Sequence, residues 1–150
     1  MFAKKALLAA ACSLLFFGAL HLRADDNTSA RAQLIGAWQP KDPAVKDAGV
    51  WTFERKGGDV IHITYAVGDQ KTVEMECETT GKDCKVKDTG KSAKVSMWFS
   101  GRNLVSLETR GDEIVKRRFG VGDGDSLEVE IIPIQPDGKK ETVEFRRVKQ

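Results

Sequence analysis

Hydrophobic and polar residues alternate along most of the chain after residue 33, in short runs separated by turn-forming residues. Successive side chains of a β-strand point to opposite faces, so this alternation predicts strands that bury one face and expose the other. No long segment after residue 33 has the apolar spacing of a helix, so we expect an all-β domain. The apolar sets predicted to face inward are Trp51, Phe53; Ile61, Ile63, Tyr65, Val67; Val73, Met75, Cys77; Val95, Met97, Phe99; Val105, Leu107; Val115, Phe119; Leu127, Val129, Ile131; and Val143, Phe145.

Turn-forming residues separate the runs at short intervals, as in Gly57-Gly58 and Gly111-Asp112. Glycine, asparagine and aspartate accept the positive φ angles of tight hairpin turns. Connections this short join neighbouring antiparallel strands, which predicts an up-and-down meander. Closing such a meander removes its unpaired edges, so we expect a barrel of about eight to ten strands, including a short one near residues 84–87.

Residues 1–24 have the features of a secretory signal peptide. Lys4 and Lys5 form a positive start, and residues 6–20 form an apolar run that is short for a membrane span. Cleavage after Ala24 leaves a small residue at the cut. We therefore expect an exported protein, periplasmic or extracellular, without a stable membrane anchor.

The remaining chain divides into a leader and one domain. Residues 25–32 are polar and lack a large apolar side chain, which predicts a flexible polar leader or a short helical turn over one end of the domain. Residues 33–150 are long enough for a single domain with one hydrophobic core. We expect this domain to be a monomer.

The charge balance argues against one class of partner. The whole chain has 24 lysines and arginines and 22 aspartates and glutamates, and the predicted signal peptide contains only basic residues among these. The exported chain is therefore close to neutral, with both signs mixed along the strands. Nucleic-acid binding needs a concentrated positive surface, so we expect no nucleic-acid partner.

Two cysteines remain after export, Cys77 and Cys84. In an exported chain an even pair predicts a disulfide, and the short segment between them can form a loop that brings them together. A metal site would need further cysteine or histidine ligands nearby, and the sequence offers none there. We expect a structural Cys77–Cys84 disulfide, no metal and no other cofactor.

The motif Gly36-Ala37-Trp38 on the first predicted strand, together with Arg146-Arg147 near the end of the last one, resembles lipocalins and fatty-acid-binding proteins. The resemblance implies a lipocalin-like barrel in which Trp38 plugs one end and a basic residue packs on its indole. A glycine beside the ring relieves crowding, and an arginine over a tryptophan is a favourable cation–π pair. Strand parity favours Arg147 for this role.

The chain is also similar to small exported bacterial lipocalin-like proteins over residues 34–149. The shared motifs are Gly81-Lys82-Asp83 before the middle strands and the Asp-Gly-Lys sequence at residues 137–139 in the closing hairpin. These motifs imply the barrel fold and bring no activity with them, because function depends on the site rather than on the fold.

The exported sequence has few residues suited to catalysis. His62 is its single histidine, and parity places it opposite the apolar face of its strand, away from an interior haem or catalytic group. A Ser-His-acid set would need this histidine, and no nucleophile motif accompanies it. Glu74 and Glu76 share a strand face, but the alternation puts them on the solvated outer wall. We expect a non-enzymatic protein.

Several large side chains on the inward faces are expected either to line a ligand cavity or to fill a solid core, and the pattern leaves both open. These residues are Trp51, Phe53, Tyr65, Met75, Met97 and Phe99. Trp98, by contrast, is expected to point outward. The favoured hypothesis is a barrel that binds a small apolar or amphipathic molecule inside. The alternative is a protein-binding module, such as a periplasmic protease-inhibitor-like barrel with residues 25–32 as a projecting arm.

Overall fold

A computed structural model describes residues 23–45, 48–88, 92–123 and 125–149. Within these ranges the chain forms one α-helix followed by eleven β-strands. The predicted signal peptide lies outside the described residues except for its last two positions. The elements are α1 (Arg23–Leu34), β1 (Gly36–Pro40), β2 (Val50–Gly57), β3 (Val60–Val67), β4 (Gln70–Glu78), β5 (Thr80–Asp83), β6 (Lys85–Asp88), β7 (Lys94–Ser100), β8 (Asn103–Arg110), β9 (Glu113–Val121), β10 (Ser126–Gln135) and β11 (Glu141–Arg147).

The strands form a single antiparallel sheet that curls into a nearly closed barrel. Along the sheet the order is β5-β7-β8-β9-β10-β11-β1-β2-β3-β4-β6. Neighbours in sequence are therefore neighbours in the sheet from β1 to β4 and again from β7 to β11. The last strand pairs with the first, with Trp38 opposite Arg147 and Pro40 opposite Phe145. This pairing joins the first and last strands in sequence and confirms the predicted all-β meander barrel.

The segment that holds β5 and β6 bridges the remaining gap between β4 and β7. β5 pairs with β7, whereas β6 pairs with β4, so the chain crosses the gap between these two short strands. Cys84 lies at the crossing point, and its disulfide with Cys77 ties that point to β4. The disulfide predicted from the sequence is therefore present, and it lies at the seam of the sheet.

Trp38 closes one end of the barrel. Its side chain is fully buried, and its indole Nε1 donates a 2.9 Å hydrogen bond to the carbonyl oxygen of Leu34, the last residue of α1. Ala30 and Leu34 of the helix are buried as well. The helix thus covers the plugged end. The fully buried core residues around the plug include Phe53, Ile61, Ile63, Cys77, Leu104, Phe119 and Leu127.

Arg147 holds the helix, the plug and the last strand together. Its Cζ lies 4.2 Å from the centre of the Trp38 ring, which is a cation–π contact. Its Nη1 and Nη2 each donate a 2.7 Å hydrogen bond, to the carbonyl oxygens of Ile35 and Gln33. Carbonyl groups at the end of a helix lack helical partners, so these bonds cap α1. The Nε also donates to Asp125 Oδ1 at 3.2 Å.

Gly36 provides the space that Arg147 needs. Its φ is +132°, a region that L side chains rarely adopt, and a Cβ at this position would lie 2.5 Å from Arg147 Nη1. The guanidinium of Arg147 packs against the backbone of Gly36, which explains why the motif has a glycine there. Arg146, the neighbouring arginine, is exposed, so the structure agrees with the parity argument that favoured Arg147.

Residues 25–32 lie within α1, which corresponds to the helical alternative expected there rather than to the flexible leader. Arg31 anchors the helix to the barrel: its Nη2 lies 2.9 Å from Asp59 Oδ1 and 2.8 Å from Thr79 Oγ1. Its guanidinium also lies 5.4 Å from the centre of the Phe99 ring. Tertiary packing supplies most of a helix's stability, and the partners of Arg31 are distant in sequence. The local pattern therefore left the choice between a flexible leader and a helix open.

We expect Arg147→Ala to lower the free energy of unfolding by about 2–4 kcal/mol, because it removes the cation–π contact and leaves helix-end carbonyls without donors. Arg146→Ala is the matched control on the exposed face of the same strand and should change the stability by at most about 0.5 kcal/mol. Urea denaturation followed by tryptophan fluorescence measures both. Equal losses in the two variants would contradict the closing role of Arg147.

Removing the disulfide should also destabilise the protein. Chain-entropy estimates for so short a loop predict a loss of about 2–3 kcal/mol when Cys77 and Cys84 are both replaced by serine. Urea denaturation of the wild type with and without a dithiol reductant should show the same loss, and the double serine variant should not respond to the reductant. A wild type that is equally stable in both conditions would show that the seam holds without the bond.

Candidate ligand cavity

The barrel contains a cavity of about 410 Å³. Its wall is mostly apolar and is built by strands β2–β4 and β7–β11, together with loop residues Val45 and Ala48. The cavity therefore lies between the plugged end and the far ends of these strands. Six large side chains were expected in a cavity wall or a solid core. Four of them line this cavity, namely Trp51, Tyr65, Met75 and Met97.

Phe53 and Phe99, the other two members of that set, are not part of the cavity wall. Phe53 lies opposite Gly36 and is fully buried, with its ring centre 5.5 Å from that of Phe119. Phe99 packs beside Arg31 of the covering helix. Both side chains thus belong to the plugged end. Strand parity assigns a side chain to a face of the sheet but not to a depth along the barrel, which is why the prediction included them.

Trp51 is the centre of an aromatic cluster in the wall. Its ring centre lies 4.5 Å from that of Tyr65 and 5.2 Å from that of Phe119, which it meets edge-on. The Tyr65 hydroxyl accepts a 2.7 Å hydrogen bond from the backbone N–H of Gly49. A Cβ at Gly49 would collide with the carbonyl oxygen of Ala66, so glycine permits this close approach. These contacts fix the rings, and the aromatic wall is preformed.

A charged cluster of Glu108, Arg110 and Arg117 interrupts the apolar wall. Arg110 Nε lies 2.5 Å from Glu108 Oε1, and Arg117 Nη1 lies 2.7 Å from Glu108 Oε2. The three side chains are 19%, 26% and 24% exposed, for Glu108, Arg110 and Arg117 respectively. The buried hydroxyl-bearing residue Ser106 lies two positions before Glu108 and also lines the cavity.

Opposing effects act on the pKa of Glu108. Burial raises the pKa of this carboxyl, but the charge of Arg117 and the hydrogen bonds from Arg110 and Arg117 outweigh burial, so the pKa lies below its ordinary value of 4.5. The carboxylate therefore stays ionised near neutral pH. It keeps both arginines paired while they line the cavity.

The alternation predicted the wrong face for β8. Val105 and Leu107 were expected inside, but Met97 of β7 lies directly opposite Ser106. Directly paired residues of an antiparallel sheet share a face. Ser106 and Glu108 therefore face the cavity, and the sequence analysis did not identify them.

The turn sequence contains the information that the alternation lacks. Gly101 and Arg102 form a two-residue turn between Ser100 and Asn103, which are paired. A turn of this length fixes which residues of the two strands lie opposite each other. Counting from the turn places the polar residues of β8 inside, and it keeps Trp98 outside as predicted.

Arg117 had a simpler signal in the sequence. It lies between Val115 and Phe119 at positions of the same parity on β9, so an arginine interrupts an inward apolar series. A charged side chain at such a position is costly to bury unless it is paired. An inward charge on a barrel strand is therefore a marker for a candidate site.

His62 bridges two carboxylates on the side of β3 that its parity predicted. Its Nδ1 lies 3.0 Å from Glu54 Oε2, and its Nε2 lies 3.1 Å from Glu74 Oε1. The hydrogen bond with His62 and then the charge of Lys71 lower the pKa of Glu74.

Within the described ranges no group of three or more His, Cys, Asp or Glu side chains is arranged to hold a metal ion. Nor does that part of the chain contain a helix long and apolar enough to cross a membrane.

Comparison with known proteins finds similarity in solved structures only. No protein-family model matches the chain, and no curated protein matches it. A secretory abundant heat soluble (SAHS) protein from Ramazzottius varieornatus superimposes with a TM-score of 0.63 at 14% identity, covering 77% of this chain and 96% of the other. A variant of the fluorescent protein UnaG gives 0.63 at 16% identity, covering 79% and 99%. Secretory abundant heat soluble protein 4 from Ramazzottius varieornatus gives 0.62 at 14% identity, covering 78% and 96%.

These matches establish the fold. The neighbouring chains are covered almost completely, at 96% and 99% of their lengths. The protein therefore has a lipocalin-like barrel fold. At these identities the similarity shows architecture alone.

Stability should depend on pH through Glu108. Its pKa is lowered in the folded protein, so the ionised pair stabilises the fold above the ordinary value of 4.5, and this contribution is lost as the pH falls through the lower folded-state pKa. The free energy of unfolding should fall more steeply from about pH 5 to about pH 3 in the wild type than in Glu108→Gln. Urea denaturation at a series of pH values measures the slopes, and Glu128→Gln on the exposed face of β10 is the control. Parallel profiles for the wild type and Glu108→Gln would contradict the assignment.

Proposed function

We propose that this protein is a non-enzymatic, exported barrel that binds one small amphipathic molecule, with the apolar part in the cavity and an anionic group at Arg117. The observation that carries the proposal is a half-buried guanidinium in an apolar wall. Arg117 donates to Glu108, and among the described residues no other acceptor is bonded to it. A guanidinium has five N–H donors, so Arg117 has capacity for a ligand.

The size and lining of the cavity support a ligand with a substantial apolar part. Its volume of about 410 Å³ falls in the range of about 300–1,000 Å³ that small-molecule sites occupy. Removing apolar ligand surface from water supplies affinity without directional bonds. The preformed ring cluster of Trp51, Tyr65 and Phe119 adds a rigid wall, which reduces the entropy lost on binding.

The charge of Arg117 supports an anionic group on the ligand. This arginine lines the cavity, and its side chain is only 24% exposed. Charge-assisted hydrogen bonds to carboxylate-like groups are stronger than neutral ones, and the planar guanidinium fits them in pairs. A neutral apolar ligand would leave the remaining N–H donors of Arg117 unused.

Export, the bacterial resemblance and the absence of catalysis belong to the same proposal. The N-terminal sequence and the Cys77–Cys84 disulfide support an oxidising location outside the cytoplasm. Two of the neighbouring structures are secretory proteins by name, which is in keeping with export. His62, the candidate catalytic base, bonds to carboxylates on the outer wall rather than to a cavity residue. We expect the barrel to act as a monomer that binds no nucleic acid.

The alternative of a protein-binding module needs residues 25–32 as a free arm. In the structure these residues belong to α1, and Arg31 and the buried Leu34 hold that helix on the barrel. The cavity therefore offers the better-supported function.

Binding should be detectable with the anionic probe 1-anilinonaphthalene-8-sulfonate. We expect saturable fluorescence enhancement in the wild type. In Arg117→Gln the affinity for the probe should be lower by about ten-fold or more, because a hydrogen bond to a charged group is lost. Arg118→Gln is the matched control, since Arg118 is the next residue and pairs with Glu130 on the outer wall. Absence of saturable binding to the wild type would refute the proposed function, and equal effects of the two variants would refute the role of Arg117.

A further inference from the structure

Ser106 is a buried polar residue in the cavity wall to which the fold supplies no hydrogen-bond partner. The residue is only 3% exposed and lines the cavity. Among the described residues its hydroxyl takes part in no hydrogen bond. A buried hydroxyl without a partner is costly, and most buried polar side chains in proteins are hydrogen-bonded. An alanine would avoid this cost, so folding alone does not explain the hydroxyl.

The two neighbours of Ser106 across the sheet cannot accept its proton well. On one side it lies opposite Met97 of β7, whose thioether is a weak acceptor. On the other side it lies opposite Arg117 of β9, which has donors only. Directly paired side chains share a face, with Cβ atoms about 4.5–5.5 Å apart. The hydroxyl therefore lies beside the guanidinium that has capacity for a ligand, and both line the cavity.

We propose that Ser106 is a specificity-determining residue whose hydroxyl donates to the anionic group that Arg117 binds, so that the cavity takes amphipathic molecules with an oxyanion head, such as a carboxylate, sulfonate or sulfate. This role rests on the proposed function and adds a second donor to its anion site. An oxyanion has several acceptor lone pairs, so it can accept from the guanidinium and from the hydroxyl at the same time. A cationic head would leave the hydroxyl proton without an acceptor.

The position of Ser106 along the barrel favours a strong bond. Arg102, in the turn before β8, donates to Gln33 of the covering helix, so β8 begins at the plugged end. The first inward pair from that end is Leu104 with Phe119, and both side chains are buried. Ser106 comes next, which places its hydroxyl directly after the plugged end. Hydrogen bonds to charged groups are stronger where water is excluded.

The test uses two fluorescent probes with the same ring system. N-phenyl-1-naphthylamine is 1-anilinonaphthalene-8-sulfonate without the sulfonate, so the difference between their affinities reports on the anionic group. We expect Ser106→Ala to weaken binding of the sulfonate probe about ten-fold and to change binding of the neutral probe by less than about two-fold. Ser96→Ala is the matched control, because Ser96 lies opposite the outward-facing Leu107, and it should change neither affinity.

A double-mutant cycle with Arg117→Gln tests whether the two groups bind the same anion. Residues that share a partner give non-additive effects. The combined loss of affinity for the sulfonate probe should therefore differ from the product of the two single losses. Losses that multiply independently would overturn the shared site.

A structural role for the hydroxyl gives a different result in urea denaturation. Because the fold leaves the hydroxyl without a partner, Ser106→Ala should leave the urea midpoint unchanged or raise it. A clearly lower midpoint would show that the fold itself uses the hydroxyl, and this would overturn the proposed role.

The outcomes also separate this role from the proposed function. If the wild type does not bind the sulfonate probe, the proposed function fails. If the wild type binds it and Ser106→Ala weakens neither probe, or weakens both equally, the role of Ser106 is refuted while the ligand barrel stands.

A second pair of variants decides the question if Ser106→Ala does not fold. Ser106→Thr and Ser106→Val have side chains of the same shape, and only the threonine has a hydroxyl. The threonine variant should bind the sulfonate probe about ten-fold more tightly than the valine variant, with similar affinities for the neutral probe. Equal affinities of the two variants for the sulfonate probe would refute the role of the hydroxyl.

Discussion

The contact between Arg147 and Trp38 joins the last strand, the first strand and the helix that precedes it. The guanidinium lies on the buried indole of the first strand while it donates to carbonyl oxygens at the end of the helix. One side chain of the last strand therefore fixes the plug and its cover. Because this end is sealed by large rings, the sheet can close there without filling its whole interior.

The rest of the interior follows from that closure. Trp38 and Phe53 fill the plugged half, and Phe119, which contacts Phe53, is already part of the cavity wall. The charged cluster on β8 and β9 is consistent with an open space, since ionised groups in a dry, close-packed core would be costly. The cavity has apolar walls on most sides and one charged side. Its lining is therefore amphipathic.

Much of this architecture was predictable, and the errors have specific causes. The alternation identified most strands, the turns indicated antiparallel neighbours, and the cysteine pair indicated the disulfide. For Phe53 and Phe99 a cavity wall and a solid core both stayed open, because alternation contains no information on depth. Glu108 was missed because β8 has apolar residues on both faces, so that the choice of face depended on hairpin register.

The sequence by itself determined the strands, the turns between them, the plug motif and the disulfide pair, because each depends on residues that are close together in the chain. Only the tertiary structure decided which inward residues reach the cavity, that α1 covers the plugged end, and that Glu108 holds two arginines inside. These features depend on register, barrel curvature and contacts between distant residues. The alternation of apolar and polar residues along a strand indicates which side of the sheet a side chain faces. Its contacts on that side are determined only by the folded barrel.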